Sequence, residues 1–94
     1  MGALGTAVVD FGASPGSQVG SVVITGQAGI VAGSHAEAWI MGDTTADHNE
    51  EEHEVISMVS GVVCRDIVTG VGFTIRIISP LDITGLVSVR WGWF

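Results

Sequence analysis

The side chains with the most chemistry to offer are concentrated in one segment, GDTTADHNEEEHE, where six of the ten acidic residues and two of the three histidines fall between positions 43 and 54. Asp47, His48 and His53 set imidazoles among carboxylates, a donor set that suits Zn²⁺ or another divalent ion, and the carboxylates alone could hold Ca²⁺. The spacing is neither that of a His-Glu-x-x-His helix nor that of a Ca²⁺ loop with its central glycine. A solvated, charged connection is therefore expected, with no metal or other cofactor, and with Asp47, His48 and His53 as the candidate ligands should a metal bind. A third reading sets this segment at a subunit junction, its carboxylates meeting Arg65, Arg76 or Arg90 of a neighbouring copy, where the planar guanidinium pairs well.

Nucleophilic catalysis needs a nucleophile, a base and a group that orients the base. Serines and histidines are present, but no Gly-x-Ser-x-Gly elbow occurs, and no Gly-x-Gly-x-x-Gly or Walker pattern cradles a phosphate. The expectation is a protein that is not an enzyme. His35 shares a strand face with Trp39 and reads as a hydrogen-bonded structural residue. Cys64 is the single cysteine, which excludes an intrachain disulfide and a cysteine-based zinc site. It reads as a small buried hydrophobe.

These residues must be held by strands. Val, Ile and Thr are abundant, and 14 glycines accompany only two prolines, a composition that favours β structure with glycine turns over a helical bundle. Residues 6–11 (TAVVDF) read as a first strand closed by GASPG, and residues 18–25 as a second, apolar on both faces and so expected to be covered on both. GQAGIVAG reads as a loop with a short edge strand at Ile30 and Val31. Residues 35–41 alternate His35, Glu37, Trp39 and Met41 against Ala36, Ala38 and Ile40. Asp47 and Glu50 have capping-box spacing, which allows a single helical turn inside the acidic segment. Val55, Ile56, Met58 and Val59 fit a helix face, but the valine-rich run to Val63 favours a long strand. Residues 65–72 read as a hairpin connection. Phe73, Ile75 and Ile77 then form one face of a strand that residues 79–82 (SPLD) should break.

The last strand, residues 86–94, sets Val87, Val89, Trp91 and Trp93 on one face and Ser88, Arg90, Gly92 and Phe94 on the other. Aromatics so close to a terminus imply a central strand or one completed by a neighbouring subunit. Six to seven short strands in a 94-residue chain predict one domain over residues 1–94, an all-β antiparallel β-sandwich, with a small β-barrel as the alternative.

The formal charge is −7, with no lysine and three arginines, so the chain repels phosphate backbones and no direct contact with nucleic acid is expected. No run of about 20 apolar residues is present to span a membrane, and the N-terminal MGALGTAVVDFG lacks the basic flank and apolar run of a secretory signal. Synthesis in a cytoplasm is expected.

At VDFGASPGS, ITGQAGIVAGS, EAWI and TADHNEEEH, and again at VTGVGFTI and VSVRWGWF, the chain resembles a group of small proteins of tailed bacteriophages and prophages that look like virion components. The likeness runs from Ala7 to Phe94, and VDFGA-x-PG, TGQAGI and TADH-x4-H are its most specific pieces. The chain departs from that pattern by a shorter segment between Ile78 and Gly85 and by His35, where an apolar residue is usual. The resemblance implies a virion protein synthesised in the host cytoplasm. Its first placement is capsid decoration, docking on the major capsid protein, and its second is a tail- or fibre-attached component. A likeness in strand count to the H-type lectin sandwich makes a homo-oligomer, a trimer, the expected assembly, and it supplies the alternative of a module that binds a host surface glycan. The expected interface residues are Trp39, Trp91, Trp93, Phe94, Arg65, Arg76 and Arg90.

Overall fold

The computed structural model describes residues 2–42, 45 and 48–94. Six strands and one helix follow in the order β1 (Ala3–Asp10), β2 (Ser17–Ile24), β3 (Ala36–Ile40), α1 (Glu50–Val59), β4 (Gly61–Val68), β5 (Gly72–Ile83) and β6 (Leu86–Trp93). They form two three-stranded sheets, β1-β6-β3 (sheet A) and β2-β5-β4 (sheet B), in which every pair is antiparallel. The protein is an all-β sandwich. No helix among the described residues is long and apolar enough to cross a membrane.

Alternation along the two central strands builds the core. Val87, Val89, Trp91 and Trp93 of β6 face Phe73, Ile75 and Ile77 of β5, and all seven are buried. Phe73 and Trp91 meet edge to face, with centroids 5.6 Å apart. Gly5 lies opposite Trp91 in the β1–β6 ladder, and a Cβ there would fall inside the indole, so this position accepts no side chain without moving the ring. The expectation that the aromatic last strand is central is met, since β6 is paired on both sides.

Several boundaries differ from those expected. β1 and β2 each begin and end earlier in the chain than the pattern suggested, and Ile30–Val31 is not a strand. Ile30 is instead a fully buried plug, held by bonds from its own N–H to Gln27 O and from Gly70 N–H to its carbonyl. Val55 to Val59 belong to a helix, which corrects the first part of the long strand expected there, while Val62 and Val63 do lie in a strand, β4. Asn49 caps that helix: its side chain accepts from Glu52 N–H while the Glu52 carboxylate accepts from Asn49 N–H, so the capping box sits two residues later than Asp47 and Glu50. Glu50, Glu51 and Glu52 in the first turn oppose the positive end of the helix dipole, and His53 and Ile56 find seats on the sandwich.

β5 does not break at residues 79–82. Ser17 pairs with Ile83 and Val19 with Ile78, so these four residues bulge out opposite Gln18 alone. Pro80 thereby sits where the ladder asks for no N–H. β4 likewise runs to Val68 through a bulge at Asp66 (φ 55°), leaving a turn of only residues 69–71 where a longer hairpin connection was expected.

Candidate interaction surfaces

Each sheet has one face in the core and one face outward, and the outward faces carry most of the expected interface residues. On sheet A, Arg90 of the central strand lies between Thr6 and Trp39, and Gly92 lies between Leu4 and Glu37. Leu4 leans over Gly92, where a Cβ would come within 2.7 Å of its Cδ2. Trp39 is 42% exposed, Leu4 78% and Phe94 73%, and Val8 extends the apolar surface toward the other end of β1. Phe94 exchanges both backbone bonds with His35 (2.7 and 2.8 Å), and their rings lie 5.0 Å apart. His35 Nε2 also meets Glu37 Oε1 at 2.8 Å, the structural pairing expected of it, although the side chain is exposed.

Trp91 and Trp93 are not on that surface. Both lie in the core, and Trp93 Nε1–H donates to Gln27 Oε1 at 2.9 Å. Of the four expected aromatic interface residues, only Trp39 and Phe94 are exposed. Leu4 and Val8 were missed, although the alternation of β1 carries the signal: Leu4, Thr6 and Val8 share the parity opposite to buried Val9.

On sheet B the outward positions form three rows: Val19–Ile78–Gly61, Ser21–Arg76–Val63 and Val23–Thr74–Arg65. Val19, Val23, Val63 and Ile78 are exposed, so β2 is covered on one face only and the expectation of two covered faces is corrected. Arg65 Nε reaches its neighbour Asp66 at 3.1 Å. Among the described residues no ion pair engages Arg76 or Arg90.

The histidines of the acidic segment are structural in this arrangement. His53 is fully buried, and Ser88 N–H can only donate, so His53 Nε2 accepts from it at 2.9 Å. Its proton is therefore on Nδ1, which donates to Asn49 O at 2.9 Å. One side chain thus ties the N-cap of α1 to the central strand of sheet A. His48 Nε2–H donates to Thr84 O at 2.6 Å, Nδ1 faces Glu52 Oε2 at 3.3 Å, and the two imidazoles meet edge to face at 5.9 Å. Asn49 N–H, followed by His48, holds the Glu52 carboxyl below its usual value. Both nitrogens of His53 are thus engaged with the backbone, and among the described residues no group of three His, Cys, Asp or Glu is placed to hold a metal. Asp47, the third candidate ligand, lies outside the described residues.

Between α1 and the β5 bulge lies an open groove of about 430 Å³, floored by Val55, Ile56, Val59, Leu81 and Ile83 and rimmed by Glu51 and Asp82. Its walls suit an apolar side chain. Cys64, on the inner side of β4, is half-buried; burial and then the nearby Glu37 carboxylate push its thiol up to about 11.

In comparisons with known proteins, no family model, no curated protein and no solved structure matches the chain.

Proposed function

We propose that this protein is a non-enzymatic structural subunit of a tailed-phage virion, first of all a capsid decoration protein, that associates with itself and docks on other virion proteins. The observation that carries self-association is the outward face of sheet A, where Trp39, Leu4 and Phe94 leave apolar surface in water around Arg90, which no ion pair engages among the described residues. Several large exposed apolar side chains gathered on one sheet face favour an interaction site there.

The placement on a phage particle rests on the sequence resemblance, and the roles of the shared motifs fit it. In VDFGA-x-PG, Asp10 Oδ1 accepts from Gly12 N–H and Phe11 is buried. In TGQAGI, Gln27 satisfies the Trp93 indole and Ile30 plugs the core. In TADH-x4-H, both histidines hold backbone groups. Each motif maintains the fold, as a structural subunit requires.

Sedimentation of the purified protein, with and without chelator, tests self-association. The expected result is an oligomer, a trimer by analogy, that is indifferent to chelator and weakened by Trp39→Asp. A monomer at high concentration refutes this part of the reading. Co-sedimentation with capsid shells tests the placement, and binding to purified tails instead moves it to the second site. Glycan binding is the competing reading, favoured by Trp39 standing half-exposed beside Arg90 and Glu37. Quenching of tryptophan emission by free sugar, in a protein that stays monomeric, would establish it.

A further inference from the structure

The outward face of sheet B and the outward face of α1 are complementary. Arg76 stands at the centre of the sheet face, with Val19, Val23, Val63 and Ile78 around it, Arg65 at one corner beside its ion-pair partner Asp66, and no acidic residue in any of the three rows. The helix buries His53 and Ile56 and turns Glu51, Glu54, Val55 and Met58 outward at i, i+3, i+4 and i+7, a continuous stripe on which Met58 is 84% exposed. One surface is apolar with positive charge, the other apolar with negative charge, and both are open to solvent.

We infer that α1 of one copy docks on the outward face of sheet B of the next, head to tail, with Glu51 and Glu54 at Arg76 and Arg65 and with Val55 and Met58 on the surrounding valines and Ile78. The inference rests on the self-association reading and adds a second contact to that of sheet A. The dimensions agree. Ten helical residues span about 15 Å, while three strands and three rows cover roughly 10 by 14 Å. Charge also selects the occupant. A net −7 chain with two arginines on this face does not attract a polyanion, whereas its own helix supplies a few carboxylates on an apolar stripe. The contact joins different patches, so it propagates into a ring or a filament. It is smaller than the roughly 20–30 residues a side of a standard interface. A single such contact holds two copies together at high protein concentration, and closure, in which each copy makes the contact twice, strengthens it.

The test is made in Trp39→Asp protein, whose sheet A face is disabled, with Leu4→Asp as the second background should the first fail to fold by circular dichroism. The expected result is that this protein still associates by sedimentation, and that Arg76→Glu or Met58→Asp added singly weakens association about tenfold or more. Mixing those two double variants then restores a one-to-one dimer that grows no further, because only one intact helix meets one intact sheet face. An unmutated chain that is monomeric overturns both the inference and the reading beneath it. An oligomeric unmutated chain that becomes monomeric with Trp39→Asp overturns the inference and leaves self-association through sheet A standing. Association indifferent to Arg76→Glu and Met58→Asp, or a mixture that stays monomeric, overturns it as well.

Discussion

His53 is the residue on which the position of the helix depends, because the fully buried ring joins the buried Ser88 N–H of the central strand to the Asn49 carbonyl at the helix cap. His53→Ala leaves Ser88 N–H and Asn49 O without this partner and opens a cavity, so a loss on the order of 2–4 kcal/mol is expected in urea unfolding. A loss under about 1 kcal/mol would show that α1 docks through Ile56 alone. Cys64 offers a second test at this scale. With its thiol at about 11 rather than the ordinary 9.0, the thiolate fraction near neutral pH falls roughly a hundredfold, and alkylation by iodoacetamide should be correspondingly slow. Its rate should climb steadily from pH 9 toward pH 11, and Glu37→Gln should raise it modestly, since the carboxylate is the lesser cause. Rapid labelling at pH 7 would mean that the inner side of β4 opens readily.

The elements differ in how plainly the chain announces them. β5 and β6 were legible because Phe73, Ile75 and Ile77, and Val87 through Trp93, alternate cleanly, and strict alternation has one physical reading. α1 was not, because Val55, Val59, Val62 and Val63 carry strand propensity, whereas the helix is decided by Asn49 and Glu52 at its start and by a seat for His53 that only the folded sheet provides. The bulge at residues 79–82 was hidden for a related reason, since Pro80 forbids a ladder bond but not a strand that needs none there. Of the candidate site, Phe94, Arg76 and Arg90 could be placed opposite the apolar faces of their strands, while Arg65 was read into a connection and the apolar rows of sheet B could not be placed, because valine on both parities of β2 hides which face stays open. The capping box makes a prediction of its own. Asn49→Ala should cost about 1 kcal/mol. The Glu52 carboxyl is held below the ordinary value of a glutamate, so its contribution is present above that ordinary value and is lost as pH falls through the lowered folded value. Helical circular dichroism should therefore decline in mild acid before the sheet signal does, and Glu52→Gln should remove that step. A helix signal that follows the sheet signal throughout would show that the cap does not govern α1.

For the whole molecule, the distribution of charge sets how copies meet. The net charge of −7 makes any two copies repel, and that repulsion would act across the proposed sheet A contact, which offers apolar area and little charge pairing in return. Salt screens the repulsion, and the screening length falls from about 14 Å at 0.05 M to about 4 Å at 0.5 M, while apolar burial is left intact. The inferred contact of α1 with sheet B should respond the other way, because Arg76, Arg65, Glu51 and Glu54 would attract across it and lose that attraction in the same range. Each contact can be followed alone. Arg76→Glu protein, which retains the sheet A face, should associate more tightly as sodium chloride rises, and Trp39→Asp protein, which retains the helix and sheet B, should associate less tightly. Sedimentation of the two variants across one salt series measures both slopes. If both proteins tighten with salt, the arginines do not bind the helix and sheet B meets its neighbours through valine and isoleucine. If both loosen, ion pairs also hold sheet A, and Arg90 beside Trp39 becomes the charge to reverse.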